Sequence, residues 1–335
     1  AISSHEKAIE IYEQILKDLQ SAGNAGEFYT PRAITQFIVN RIKPQLNETV
    51  LDPACGTGGF LSCTIDYKRE NYVCSDSDVE VLHKSIQGVE KKSLPHMLCV
   101  TNMILHGIDT PTNIKHDNTL SRPYKDYGNK DRVDIIITNP PFGGMEEDGI
   151  ENNFPKNLRT RETADLFMAL LIKLLKDQGR AAIVLPDGFL FGEGMKTRLK
   201  EILLQECNLH TILDLPTGVF LGTGVKTVVL FFDKGVSTQK IWYYQLNLER
   251  NLGKTNPLNE KDLSEFIELQ KTKAESNNSW SVSISDINKD TWNLTPNNPN
   301  VEDTTDKRTP EEILSEIEFL DFEAAEAMAA IKELL

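Results

Sequence analysis

What the sequence lacks narrows its role before any motif is read. No run of roughly 18 apolar residues occurs, the length needed to cross a bilayer; the longest apolar stretch, 166–175, is broken by Lys173. No charged leader followed by an apolar segment is visible, so a signal peptide is not expected. The cysteines, Cys55, Cys63, Cys74, Cys99 and Cys207, are odd in number and contain no C-x-x-C pair. That argues against a disulfide framework or a zinc site and for a reducing, cytoplasmic setting. Positive charge is also scarce: 36 Lys+Arg face 50 Asp+Glu, a net −14. At face value this balance argues against a nucleic-acid partner, because phosphate binders carry a positive surplus.

What is present is enough for a real core. With 335 residues and 39% apolar content the chain suits one large α/β domain or two ordinary ones, and wholesale disorder is excluded. Residues 3–20 read as a helix, with Ser3 and Glu6 at capping-box spacing and Ala8, Ile11, Ile15 and Leu19 on one face. A second helix is expected after Pro31. From residue 49 short apolar runs predict strands over 49–52, 85–90, 113–116, 133–138, 180–185, 210–215, 227–232 and 240–245. Helical stretches fall at 59–66, 94–106, 164–176 and 193–206. Apolar, unalternating strands separated by helices predict a mostly parallel sheet covered on both faces. The last three strands lack long intervening helices, so that end is expected to be partly antiparallel.

The expected organisation is a helix at 1–25, a catalytic domain at 26–250 and a small appendage at 251–300 anchored by Trp280 and Trp292. A linker and an amphipathic helix follow at 301–335. In that helix Ile313, Ile317, Leu320, Ala324, Met328, Ile331 and Leu335 form one apolar stripe.

Two blocks carry chemistry. The first strand runs into Asp52-Pro-Ala-Cys-Gly-Thr-Gly-Gly-Phe60. Glycines between a strand and a helix let a ligand approach the backbone at the helix N-terminus. The run is neither G-x-G-x-x-G nor a Walker loop, and a carboxylate at the strand end suits a cationic or amino-bearing ligand. A plain glycine-rich turn would look the same. The fourth strand ends in Asn139-Pro-Pro-Phe142. The prolines stop the strand and stiffen the backbone. Asn139 and the Pro140 carbonyl then offer two fixed acceptors for the hydrogens of one amino group, and Phe142 offers a ring for stacking on a heterocycle. A proline-stiffened loop with a core Phe is the plainer alternative.

Together these blocks resemble the adenine-N6 DNA methyltransferases of the Asn-Pro-Pro-Phe/Tyr class. More narrowly, they resemble the modification subunits of type I restriction–modification systems. Three blocks carry the likeness in order: Gly26-Glu-Phe-Tyr-Thr-Pro-Arg32, the Asp52–Phe60 run and Asn139-Pro-Pro-Phe142. Gly88-Val-Glu90, Asn102-Met-Ile-Leu-His-Gly107 and Leu215-Pro-Thr-Gly-Val-Phe220 add to it. The resemblance implies a Rossmann-like, class I S-adenosyl-L-methionine (AdoMet)-dependent fold. It places Glu27, Phe28, Tyr29, Thr30, Pro31 and Arg32 beside the methionine part of the cofactor, with Thr30 as a donor to its carboxylate. Asp52 would face the ammonium or organise the loop, and Thr57, Gly58 and Gly59 would line the site. Glu90 would accept from the ribose hydroxyls, and Asp117 would meet the adenine amino group, although an Asx turn before Asn118 explains Asp117 equally. Asp76 and Asp78 are rivals to Glu90; residues 66–84 read as an insertion.

The catalytic trio implied is Asn139, Pro140 and Phe142, acting on a flipped adenine without metal. The loop 143–163, with Lys156, Arg159 and Arg161, is expected to be mobile and to order over DNA; an ordinary solvated loop is the alternative. No base-reading module is visible. The resemblance therefore implies a separate specificity subunit flanked by two modification subunits, a restriction/translocase subunit in some assemblies, and no membrane. Action on RNA or protein glutamine, or a non-catalytic scaffold, remain the alternatives.

Overall fold

The apolar runs become strands because each is too short for a buried helix and is closed by glycine, proline or Asx residues. The computed structural model describes residues 4–21, 29–142, 144–220, 224–301 and 309–334. In chain order the elements are α1 (Ser4–Ser21), α2 (Arg32–Ile42), β1 (Val50–Asp52), α3 (Gly59–Tyr72), α4 (Asp76–Ser85), β2 (Ile86–Glu90), α5 (Ser93–Leu105), β3 (Ile114–His116), β4 (Val133–Thr138) and α6 (Thr163–Leu174). They continue with β5 (Leu175–Pro186), α7 (Gly188–Phe191), α8 (Met195–Glu206), β6 (Cys207–Leu215), β7 (Thr227–Lys234), β8 (Lys240–Gln245), α9 (Ser264–Gln270), β9 (Ser279–Ser283) and α10 (Pro310–Leu334). Among the described residues no helix is long and apolar enough to cross a membrane.

The strands form one sheet in the order β3-β2-β1-β4-β5-β7-β6-β8-β9. β1 to β5 are parallel. β7 enters antiparallel between β5 and β6, β8 runs parallel to β6, and β9 closes the edge antiparallel. Both faces are covered, so the three consecutive isoleucines of β4, Ile135 to Ile137, serve different cores. Ile135 and Ile137 pack with Ile34 and Ile38 of α2, while Ile136 packs with Leu166 and Leu170 of α6. The strand order reverses at β1, between β2 on one side and β4 on the other. A crevice outside the carboxyl ends of β1 and β4 is where such sheets bind ligands.

Several expectations need correction. Residues 66–84, read as an insertion, are largely helical: α3 continues to Tyr72 and α4 follows. Ser75 caps α4, its Oγ accepting from Asp78 N at 3.3 Å while Asp78 Oδ2 accepts from Ser75 Oγ at 2.8 Å. Asp76 and Asp78 thus belong to a helix N-terminus, where acids are favoured. α6 ends at Leu174, and β5 starts five residues earlier than expected, across an irregular register opposite Val133 and Ile135. Residues 251–300 supply α9 and the edge strand β9, with Trp280 and Trp292 buried. The proposed Ser3 cap lies outside the described residues.

The chain divides into two units, residues 1–300 and 301–335. In the second, Thr309 and Glu312 form a reciprocal cap: Glu312 N donates to Thr309 Oγ1 at 3.2 Å and Thr309 N to Glu312 Oε2 at 2.7 Å. Leu314, Phe319 and Phe322 are exposed along with Ile317, Leu320 and Met328. The apolar surface of α10 is therefore broader than a single stripe.

Candidate active site

The site is built from the carboxyl ends of β1, β2 and β4. β1 delivers Asp52, which is buried; its Oδ1 accepts from Thr138 Oγ1 at 2.6 Å and from Ala54 N at 3.1 Å. One carboxylate oxygen thereby joins β1, β4 and the glycine loop. Burial pushes the Asp52 carboxyl up to about 7, Glu90 nearby adds to the rise, and the two hydrogen bonds oppose it. The loop then turns through Gly56 and Gly58, at φ +53° and +83°, into α3. A Cβ at Gly58 would stand 2.8 Å from Cys99 Sγ, so both backbone angle and space call for glycine.

β2 delivers Glu90. Its Oε2 accepts from Gly56 N at 3.0 Å and its Oε1 from Lys92 N at 2.7 Å. Each oxygen keeps a second lone pair, so the carboxylate braces the loop and retains acceptor capacity. β4 delivers Asn139. Its Nδ2 donates to Thr30 Oγ1 at 3.0 Å, while its Oδ1 is buried without a partner. A buried amide oxygen with no donor is costly; a ligand amino group would complete it. Thr30, Asp52, Gly59, Glu90, Asn139 and Pro141 line one cavity of about 230 Å³. Pro140, which is buried, and Phe142 do not line it; Phe142 is half-buried with its ring edge-on to Phe220 at 5.7 Å and 85°.

Residues 4–308 match the family described as N-6 DNA Methylase. The chain belongs to this family. It is 50% identical over 346 aligned residues to the EcoEI type I restriction enzyme methylase subunit of Escherichia coli, covering 99% of this chain and 70% of that one. It is 34% identical over 278 residues to the EcoKI methylase subunit of Escherichia coli K12, covering 77% and 52%. A crystal structure from Vibrio vulnificus YJ016, assigned as a type I restriction enzyme modification subunit, superposes with a TM-score of 0.83 at 42% identity, covering 90% and 66%. The chain thus spans between about half and about 70% of the length of these relatives. The fold is that of the class I AdoMet-dependent methyltransferases.

Not every residue singled out in the sequence meets at the cavity. Tyr29, Pro31 and Arg32 line a larger cavity, of about 620 Å³, beside α2. Arg32 ties α2 to α3 through Ser62 Oγ at 3.0 Å and Asp66 Oδ2 at 2.8 Å. The Thr57 carbonyl accepts from the buried Asn102 Nδ2 at 3.0 Å, so Thr57 fixes the loop from behind. Asp117 is exposed after β3, its Oδ1 accepting from Asn118 N at 2.8 Å, and it lines a separate cavity. Glu27 and Phe28 lie outside the described residues. Lys156, Arg159 and Arg161 are exposed, with Arg159 Nε donating to Phe154 O at 3.1 Å and Arg161 paired with Asp148 at 2.5 Å. Within their loop Phe154 and Leu158 are buried.

The structure also adds residues that the motifs did not indicate. Lys91, directly after Glu90, pairs with Glu146 and Glu147 at 3.0 Å each. Glu146 also accepts from Asn118 Nδ2 at 3.2 Å and Thr163 Oγ1 at 3.4 Å. Lys91, Met145, Glu146 and Thr163 join the cavity wall, so the segment after the Asn139 block is strapped to the end of β2.

Proposed function

We propose that this chain is the catalytic part of a modification subunit that methylates N6 of adenine in DNA, within a type I restriction–modification complex. The observation that carries this reading is the unpartnered, buried Asn139 Oδ1 in the same cavity as Asp52 and Glu90. AdoMet, when bound, supplies an electrophilic methyl group. Its amino-acid end calls for acceptors and donors such as Asp52 and Thr30, and its ribose for a carboxylate such as Glu90; the residues of the cavity fit it on those grounds.

An exocyclic aromatic amine is a poor nucleophile because its lone pair is delocalised into the ring. Acceptance of its hydrogens by Asn139 Oδ1 and the Pro140 carbonyl localises the pair on N6 and offsets the positive charge that develops there. Bound AdoMet would supply the methyl group and keep the C–S electron pair on its departing thioether sulfur, while N6, held by Asn139 Oδ1 and the Pro140 carbonyl, would release its surplus proton to solvent. Thr30 holds the Asn139 amide so that Oδ1, rather than Nδ2, is left for the base. Adenine reaches this position only by leaving the duplex, at a cost of a few kcal/mol, and Phe142 receives its face.

Sequence choice falls to a separate specificity subunit, flanked by two modification subunits; a restriction/translocase subunit can join. The relatives named as type I methylase subunits support that assignment, and α10, with its exposed apolar surface, suits the contact with the specificity subunit. A reducing cytoplasm fits five free cysteines. The test is methyl transfer from labelled AdoMet by the complex with its specificity subunit, on DNA, RNA and a glutamine peptide. Transfer to adenine in DNA is expected; transfer to RNA or glutamine alone would replace this reading. Asn139→Ala should lower the DNA rate by about 100-fold or more with AdoMet affinity nearly intact, and turnover within about tenfold of wild type would remove the role given to Oδ1.

A further inference from the structure

Met145 is the most exposed of the large apolar side chains recorded among the described residues, at 71%. It follows Phe142 by three positions and lines the cavity that holds Asn139 and Pro141. An exposed methionine in a slack loop would mean little. Here the backbone is held on both sides. Met145 forms an antiparallel bridge with Glu162. Gly144 O accepts from Thr163 N and Thr163 Oγ1, both at 3.0 Å, and Glu146 N donates to Arg161 O at 2.9 Å. The Glu146 carboxylate is held in turn by Lys91. A fixed clasp therefore presents one apolar side chain to solvent at the cavity that takes the base.

We propose that Met145 is a wedge that enters the DNA stack where the target adenine leaves it. The inference rests on the functional reading above and deepens it. Extrusion of a base breaks two stacking contacts and opens a gap in the helix. Apolar side chains, methionine among them, fill such gaps and offset the lost stacking. Methionine suits a gap whose neighbours vary: it is unbranched, adapts its shape, and its sulfur makes favourable contacts with aromatic faces. Glu162 and Thr163 fix the reach of the wedge relative to Asn139, and Met145 acts as a positioning residue rather than on the reacting atoms.

The test uses the complex with the specificity subunit and two duplexes, each also made with 2-aminopurine at the target. In one the target is paired; in the other it faces an abasic position and is already loosened. On the paired duplex Met145→Ala should lower the flipping fluorescence and reduce kcat/KM by about tenfold or more. Met145→Leu, which keeps the apolar bulk, should recover most of both. On the abasic duplex Met145→Ala should approach wild type, since little stacking is left to replace. AdoMet affinity should stay within about twofold throughout. A Met145→Ala complex that flips and methylates the paired duplex like wild type, or one whose loss is the same on both duplexes, would overturn the wedge. A wild-type complex that methylates neither duplex would overturn the functional reading, and the wedge with it.

Discussion

The Asn139 amide is divided between two duties. Its Nδ2 is spent on Thr30 and its Oδ1 is left open, so the chain itself orients the acceptor before any base arrives. Asp52 shows the same economy, with one oxygen taking two bonds. Its carboxyl, raised by burial to about 7, lies well above the ordinary value near 3.9. The native state then holds this proton more tightly than the unfolded chain. The resulting stabilisation is full below about pH 4, is lost as pH rises to about 7, and is absent above. Asp52→Asn keeps an oxygen for Thr138 and Ala54 but does not titrate. Between pH 5 and pH 8 the wild-type protein should lose more stability than the variant, by on the order of 2 kcal/mol, measured by urea unfolding at both pH values. Equal losses would mean that Asp52 is ionised throughout. These residues were readable in advance because each sits in a contiguous block at a strand end. Lys91 and Glu146 were not, since 55 positions separate them and only the fold pairs them. For Asp117 the sequence offered both a ligand role and a local Asx bond, and the structure shows Asn118 N donating to its Oδ1.

At the scale of elements, the sequence located β1 to β4 almost to the residue because those strands are short and each begins on a buried β-branched residue. It did not reveal that β7 slips between β5 and β6, since strand order is decided by which apolar faces meet, and that is not written in any one strand. It passed over α4, whose Ser75–Asp78 cap was present in the sequence but was weighed only as a rival acid to Glu90. α10 is the element that we propose for contact with the specificity subunit. Its cap is complete, so the helix is well started, and Leu314, Phe319, Leu320 and Phe322 are all more than half exposed. A broad exposed apolar surface of this kind suits a partner contact. Deleting residues 310–335 should leave AdoMet affinity within about twofold and weaken assembly with the specificity subunit, followed by analytical ultracentrifugation of the mixed subunits. Unimpaired assembly would assign that contact to another surface.

For the whole molecule the net charge of −14 looks hostile to DNA, yet it is unevenly placed. Residues 301–335 hold eleven acids and three bases, a net −8, which leaves −6 for residues 1–300. More than half of the net negative charge therefore belongs to the second unit, whereas Asn139 belongs to the first. In the loop that follows Phe142 the exposed cations are Lys156, Arg159 and Arg161, and Phe154 and Leu158 of the same loop are buried. They are not equivalent: Arg161 must leave Asp148 and Arg159 is tethered to a carbonyl, whereas Lys156 is highly exposed. Each phosphate contact adds about 0.9 to the slope of log K against log salt. Replacing all three by Gln should thus lower the slope for the complex by roughly 2–3, with Lys156→Gln alone giving about one unit. Fluorescence anisotropy over a salt series reads this directly. An unchanged slope would move the phosphate contacts entirely to the partner subunits. A loss confined to the triple variant would mean that the two arginines release their protein partners to take up DNA.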